Sequence, residues 1–182
     1  MKLASYKSGR DGRLMVVSRD LARCCPATDI APTMQAALDD WESVSPRLAE
    51  RYAALNEGKA HDMTAFETAR CAAPLPRAYH WADGSAYVTH VELVRRARGA
   101  ELPASFWEDP LIYMGASDAF IGAKDPIEVE REEWGIDFEA EVVVITDDVP
   151  AGTPASLAGR HIKLIGLVND VYLRNLIPGE LG

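Results

Sequence analysis

Hydrophobic and polar residues follow short, regular patterns along the first sixty positions. Two apolar runs, Lys2–Tyr6 and Arg13–Val17, flank a turn that holds two glycines, and this arrangement predicts a hairpin. Apolar residues then recur at helical spacing in 34–41 and 44–55, which predicts two short helices. We therefore expect a small β-rich module with short helices at the N-terminus.

The segment 72–76, Ala-Ala-Pro-Leu-Pro, predicts a stiff connector. Each proline fixes its own φ and pushes the preceding residue toward extended geometry. We expect a domain boundary there, with an N-terminal module at 1–71 and a second unit at 72–182. In the second unit, residues 86–97 predict a helix, and loops rich in proline and glycine lead to strands near the end of the chain.

Two apolar runs in the second unit carry acidic residues. Glu139 and Glu141 lie two positions apart in the run 136–145, and Asp170 ends the run 162–170. Residues i and i+2 of a strand point to the same side, so two carboxylates stand next to each other and repel unless a cation lies between them. This spacing indicates half of a divalent-metal site.

A simpler interpretation of the same acidic pair needs no metal. The neighbours Phe138, Ala140 and Val142 alternate onto the other face of the strand. A half-buried strand with an acidic side in water would explain the local pattern completely. Glu139 and Glu141 alone therefore leave both interpretations open.

Composition excludes several function classes. The chain has 182 residues, 48% of them hydrophobic, with a net charge of -9 and basic residues scattered among the acids. This balance argues against a nucleic-acid partner, and the apolar stretches are too short for a membrane span, so we expect a cytoplasmic protein. The odd number of cysteines, with Cys24 next to Cys25, predicts reduced thiols. No G-x-S-x-G elbow occurs, which argues against a serine hydrolase.

Three stretches together resemble the fumarylacetoacetate hydrolase family. They are Gly-Ile-Asp-Phe-Glu-Ala-Glu-Val-Val-Val at 135–144, Val-Asn-Asp-Val-Tyr-Leu-Arg at 168–174, and Asp-Gly-Ser-Ala-Tyr-Val-Thr-His at 83–90, and the resemblance covers 72–182. It implies a single Mg²⁺, or alternatively Ca²⁺ or Mn²⁺. The implied ligands are four carboxylates, and such an all-oxygen set suits a hard cation better than zinc. These ligands are Asp83, Glu139, Glu141 and Asp170.

The resemblance also implies roles in a reaction. The implied activity is hydrolysis of a carbon–carbon bond in a β-diketo acid such as fumarylacetoacetate, as in aromatic amino acid catabolism. His90 would activate the water, Arg174 would hold a substrate carboxylate, and Tyr113 would line the substrate pocket. By its local pattern alone, His90 is also compatible with a packed or surface position on an amphipathic helix, and Asp83-Gly84 with an ordinary turn.

The implied architecture is α+β and mainly β, with the small N-terminal module followed by part of a mixed β roll. A homodimer acting on a small β-diketo or 2-oxo acid is expected. Two alternatives stay open: a metal-dependent 2-oxo acid decarboxylase or isomerase of the same family, and a truncated, non-catalytic fragment that needs a complementary chain. The second rests on the end of the chain at 182, before a segment in which family members carry a catalytic lysine.

Overall fold

Four antiparallel strands form the N-terminal sheet, in the order β1-β2-β3-β4. The computed structural model describes residues 1–97, 99–109 and 111–176. The predicted hairpin is confirmed, with Lys2 opposite Val17 and Tyr6 opposite Arg13. The strands of this sheet are β1 (Lys2–Tyr6), β2 (Arg13–Val17), β3 (Arg23–Pro26) and β4 (Thr64–Ala65).

Two helices cover one face of this sheet, α1 (Met34–Asp39) and α2 (Trp41–Asn56). The Thr33 hydroxyl caps α1 by accepting a hydrogen bond from the Ala36 N–H, 3.1 Å away. Both predicted helices are confirmed, but α2 begins before the predicted start and therefore contains Pro46. After α2, Gly58 adopts a positive φ of 74°, a conformation that glycine tolerates at a helix end.

The main hydrophobic core lies between the sheet and the two helices. Leu14 and Val16 of β2 meet Leu48 and Leu55 of α2, and all four are fully buried. Each such side chain stabilises the fold by about 1.5–3 kcal/mol relative to an exposed position. Three half-buried residues of the later chain also pack against this core: Leu75, Ile145 and Leu164.

The segment 72–76 runs along β1. The Ala72 N–H donates to the Ser5 carbonyl at 2.9 Å, and the Ser5 hydroxyl donates to the Pro74 carbonyl at 2.6 Å. Nearby, the Arg77 guanidinium forms two hydrogen bonds with the Asp11 carboxylate, at 2.8 and 2.7 Å. Backbone and ionic contacts therefore fix the start of the later chain against the N-terminal sheet.

Within its described residues, the later chain contains two separate two-stranded antiparallel sheets. β5 (Ala82–Gly84) pairs with β6 (Ile112–Met114), and β7 (Ile136–Thr146) pairs with β8 (Ile162–Leu173). We call the second pair the β7–β8 ribbon. Helix α3 (Val88–Ala97) follows β5, where a helix was predicted, and the short α4 (Ala155–Ala158) lies between β7 and β8. Strands and helices mix in both parts of the chain, so the predicted α+β class is confirmed.

Candidate metal centre

Asp83 lies at the centre of β5, directly opposite Tyr113 of β6. Residues beside these strands hold the pair together, since the Gly115 N–H donates to the Trp81 carbonyl at 3.0 Å. The Trp81 indole N–H then donates to the Ala116 carbonyl at 2.9 Å. A Cβ at Gly115 would lie 1.9 Å from the Trp81 ring, so only glycine permits this close approach.

The β7–β8 ribbon places its carboxylates by register. Glu139 is directly opposite Asp170, and Glu141 is opposite Val168. Directly paired residues of antiparallel strands share a face, and so do residues two apart on one strand. Glu139, Glu141 and Asp170 are therefore on one face of the ribbon, and all three are half-buried.

The acidic face of the ribbon is its inner face. Ile145 and Leu164, which face each other across the ribbon, share this face with Glu141 and pack against the N-terminal core. The opposite face carries large apolar side chains in water, including Val142 at 71% exposure and Leu167 at 86%. The amphipathic interpretation with an acidic outer side is therefore wrong, because anchoring by Ile145 and Leu164 turns the acidic face inward.

Three carboxylates converge where the two small sheets meet. Asp83, Glu141 and Asp170 each offer one oxygen, and these oxygens all lie within 4.8 Å of one another. Burial raises the pKa of Glu141, and the neighbouring charges of Asp83 and Asp170 raise it further. The fully ionised cluster is therefore destabilised in the absence of a cation.

Glu139 does not belong to this cluster in the structure. Its carboxylate pairs with the Arg174 guanidinium, and one oxygen lies 3.6 Å from the His90 imidazole nitrogen Nε2. The Arg174 Nε also donates to Asp137 at 2.9 Å, and this bond lowers the Asp137 pKa. Arg174 therefore lies between two carboxylates, and its guanidinium carbon lies 4.6 Å from the centre of the Tyr172 ring, a cation–π contact.

Tyr113 reaches across from β6 to the ribbon. Its hydroxyl donates to the Asp170 Oδ2 atom at 3.0 Å, although the residue remains 38% exposed. Partial burial raises the Tyr113 pKa, and hydrogen bonding to Asp83, Tyr172 and Asp170 adds to the shift. The phenol is therefore a neutral donor among these carboxylates at neutral pH.

Comparison with known protein families assigns both parts of the chain. Residues 1–77 match fumarylacetoacetase N-terminal domain 2, and residues 79–181 match the fumarylacetoacetate (FAA) hydrolase C-terminal domain. The chain belongs to the fumarylacetoacetate hydrolase family. No curated protein matches it. Membership of this family supports a function of the hydrolase, decarboxylase or isomerase type. Proteins of the family often use a divalent metal.

The predicted site residues of the chain fall into two groups. Asp83, Glu141 and Asp170 converge on one point, with the Tyr113 hydroxyl bonded to the last of them. A second group lies next to Glu139 and comprises His90 and Arg174. The spacing of Glu139 and Glu141 predicts their common face, but it does not predict that their carboxylates have different neighbours.

Two further polar residues of the ribbon contact the second group and were not predicted. Asp137 shares Arg174 with Glu139, and the Asn169 side-chain oxygen accepts a hydrogen bond from the Glu139 N–H at 3.1 Å. Asp137 precedes the acidic pair by two positions, so the face argument extends to it. Asn169 belongs to the Asn-Asp pair that supported the family resemblance, and this pair is the signal for its position.

In the described parts of the chain, no helix combines the length and apolar character needed to cross a bilayer. The ranges 1–97, 99–109 and 111–176 include every residue predicted to act at the site.

Proposed function

We propose that this chain carries the metal centre of an enzyme that hydrolyses a carbon–carbon bond in a β-diketo acid. The convergence of three carboxylate oxygens within 4.8 Å, in a region matched by the hydrolase domain of the family, is the observation that supports this most. Their chemistry fits a hard divalent cation, because carboxylate oxygens are the ligands that Mg²⁺, Ca²⁺ and Mn²⁺ prefer. Asp83, Glu141 and Asp170 would hold the cation, and Glu139 is the candidate fourth ligand on the same face.

When bound, such a cation polarises a substrate carbonyl and stabilises negative charge on the enolate that leaves. His90 is the candidate general base, since it lies at the start of α3 with its Nε2 atom 3.6 Å from Glu139. The Glu139 carboxylate would stabilise the imidazolium that forms when His90 takes a proton from water. His90 would then return that proton to the departing carbon.

Arg174 is the candidate group for binding the substrate carboxylate. Its guanidinium already binds the carboxylates of Asp137 and Glu139, and its fork geometry suits bidentate pairing. A substrate carboxylate would replace one of these partners. The cation–π contact with the Tyr172 ring would help to hold the guanidinium in place.

Calorimetric titration with Mg²⁺ and with Mn²⁺ tests the metal centre. We expect one saturable site in the wild-type chain and none in Glu141→Ala, whereas Glu50→Ala, on the exposed side of α2, should bind as the wild type does. Loss of the site in both variants, or in neither, would contradict the assignment. A folded wild-type chain that binds no metal would overturn the proposal.

Product analysis separates the reactions that the family supports. Hydrolysis of a β-diketo acid yields two acids, decarboxylation of a 2-oxo acid releases CO₂, and isomerisation changes no mass. We expect two acids, with His90→Ala abolishing turnover while it leaves the metal affinity intact. Equal loss of metal in His90→Ala and Glu141→Ala would show that His90 has no separate role.

A further inference from the structure

Tyr113 connects the two small sheets that supply the carboxylates of the candidate metal centre. It is the direct cross-strand partner of Asp83 within the β5–β6 sheet. Its hydroxyl donates to Asp170, which belongs to the β7–β8 ribbon, at 3.0 Å. Tyr113 is therefore paired with one candidate ligand through the β5–β6 sheet and bonded through its side chain to another on the ribbon.

The bond to Asp170 has a specific chemical effect. A carboxylate ligand can rotate about its terminal torsion, and a donor bonded to one oxygen fixes the direction of the other oxygen. The structure gives the Asp170 Oδ2 atom such a donor. Partners of this kind around a metal ligand typically contribute about 10-fold to 100-fold in metal affinity.

We infer that Tyr113 is a positioning residue of the metal centre, whose hydroxyl orients the Asp170 carboxylate. The inference rests on the proposed function, because it takes the carboxylate cluster as a metal site. It differs from the role that the family resemblance implies, in which Tyr113 lines the substrate pocket. The two roles predict different results for the loss of one oxygen atom.

The substitution Tyr113→Phe removes the hydroxyl and keeps the ring. If the hydroxyl orients Asp170, the affinity for Mn²⁺ alone should fall by about 10-fold or more. Tyr79→Phe is the matched control, since Tyr79 is 89% exposed, and its Mn²⁺ affinity should equal that of the wild type. The metal-free melting temperature of Tyr113→Phe should match that of the wild type, which distinguishes positioning from a general loss of structure.

A double-mutant cycle tests whether Tyr113 acts through Asp170. In the background of Asp170→Asn, the further change Tyr113→Phe should weaken Mn²⁺ binding by much less than 10-fold, because the oriented ligand is already altered. Additive losses would overturn the inference. The same double-mutant cycle in the background of Asp83→Asn provides a comparison, because Asp83 is the cross-strand partner of Tyr113.

The outcomes separate this inference from the proposed function. Wild-type binding of Mn²⁺ with an unchanged affinity in Tyr113→Phe would overturn the positioning role and leave the metal centre intact. Failure of the folded wild-type chain to bind Mn²⁺ would overturn both. A lower Mn²⁺ affinity in Tyr113→Phe together with an unchanged metal-free melting temperature would support both.

Discussion

The N-terminal sheet buries apolar side chains on both of its faces, whereas the β7–β8 ribbon exposes an apolar face and turns carboxylates inward. In the sheet, Leu14 and Val16 of β2 point into the core and are fully buried. In the ribbon, the inward face carries Glu139 and Glu141, while Leu167 on the other face is 86% exposed. The number of apolar residues on a face does not alone decide which face of a strand points inward. In the ribbon, the contacts of Ile145 and Leu164 with the N-terminal core decide it.

The largest expected difference between the two regions is in stability. Leu48→Ala, in the N-terminal core, should lower the free energy of unfolding by about 2–5 kcal/mol, because it leaves a cavity. Leu167→Ala, on the exposed face of the ribbon, should change it by less than about 0.5 kcal/mol. Urea unfolding of both variants measures the contrast. Similar losses in the two variants would show that the outward face of the ribbon is covered in solution.

A metal should stabilise the ribbon and its surroundings through the inward carboxylates. At a concentration 100 times the dissociation constant, binding to the folded state adds about 2.7 kcal/mol to the free energy of unfolding. We expect this gain from Mn²⁺ in the wild type and its absence in Glu141→Gln, as measured by urea unfolding with Mn²⁺ or with EDTA. The same gain in Glu50→Gln provides the control. A gain that persists in Glu141→Gln would contradict the assignment of this ligand.

Without metal, Glu141→Gln should increase the free energy of unfolding. It removes a half-buried charge that Asp83 and Asp170 repel, so the variant should be more stable than the wild type by on the order of 1 kcal/mol at neutral pH. Because the pKa of Glu141 is raised in the folded wild type, the folded chain takes up a proton at a higher pH than the unfolded chain does. The advantage of the variant should therefore shrink as the pH falls from above that raised pKa toward the ordinary value of 4.5. A constant advantage across this range would show that Glu141 does not titrate as the geometry requires.

The smallest expected effect is at Asp147, just after β7. Lys163 lowers the pKa of Asp147, and His161 lowers it further, the opposite of the shift at Glu141. Asp147→Asn should therefore reduce stability by less than about 1 kcal/mol at neutral pH, since the ion pairs are partly exposed. The loss should disappear as the pH falls below the ordinary value of 3.8 and through the lowered pKa. Urea unfolding of both proteins at several pH values in EDTA measures this loss of stability. A loss that grew at low pH would contradict the prediction.

The predictable parts of the fold are those in which local pattern and tertiary structure agree. The hairpin of β1 and β2 and the long helix α2 follow directly from alternation and helical spacing. Strand β3 escaped prediction because its four residues, Arg-Cys-Cys-Pro, show no alternation of apolar and polar positions. Strand β4 has only two residues and depends entirely on its partner.

The site was predicted as a set of residues, and its internal arrangement was not. Spacing places Glu139 and Glu141 on one face, and the family resemblance adds Asp83 and Asp170. The contact of Asp83 with the ribbon requires two separate sheets to meet, which no local pattern encodes. The separation of Glu139 from the cluster likewise depends on Arg174, 35 residues further along the chain.

Strand β7 carries the carboxylates Glu139 and Glu141 and also Ile145, which anchors the strand to the N-terminal core. This combination limits which insertions and deletions the gene can tolerate. Glu141 and Ile145 are four positions apart, within the part of the pairing that stays in regular register; the irregularity follows Ile145. Removing one residue between them would reverse the parity of the strand, so that the carboxylates would face the solvent whenever Ile145 kept its place. Removing two would preserve the faces and shift the carboxylates by about 7 Å along the strand. We therefore expect length changes in 142–144 to be more damaging than most substitutions there.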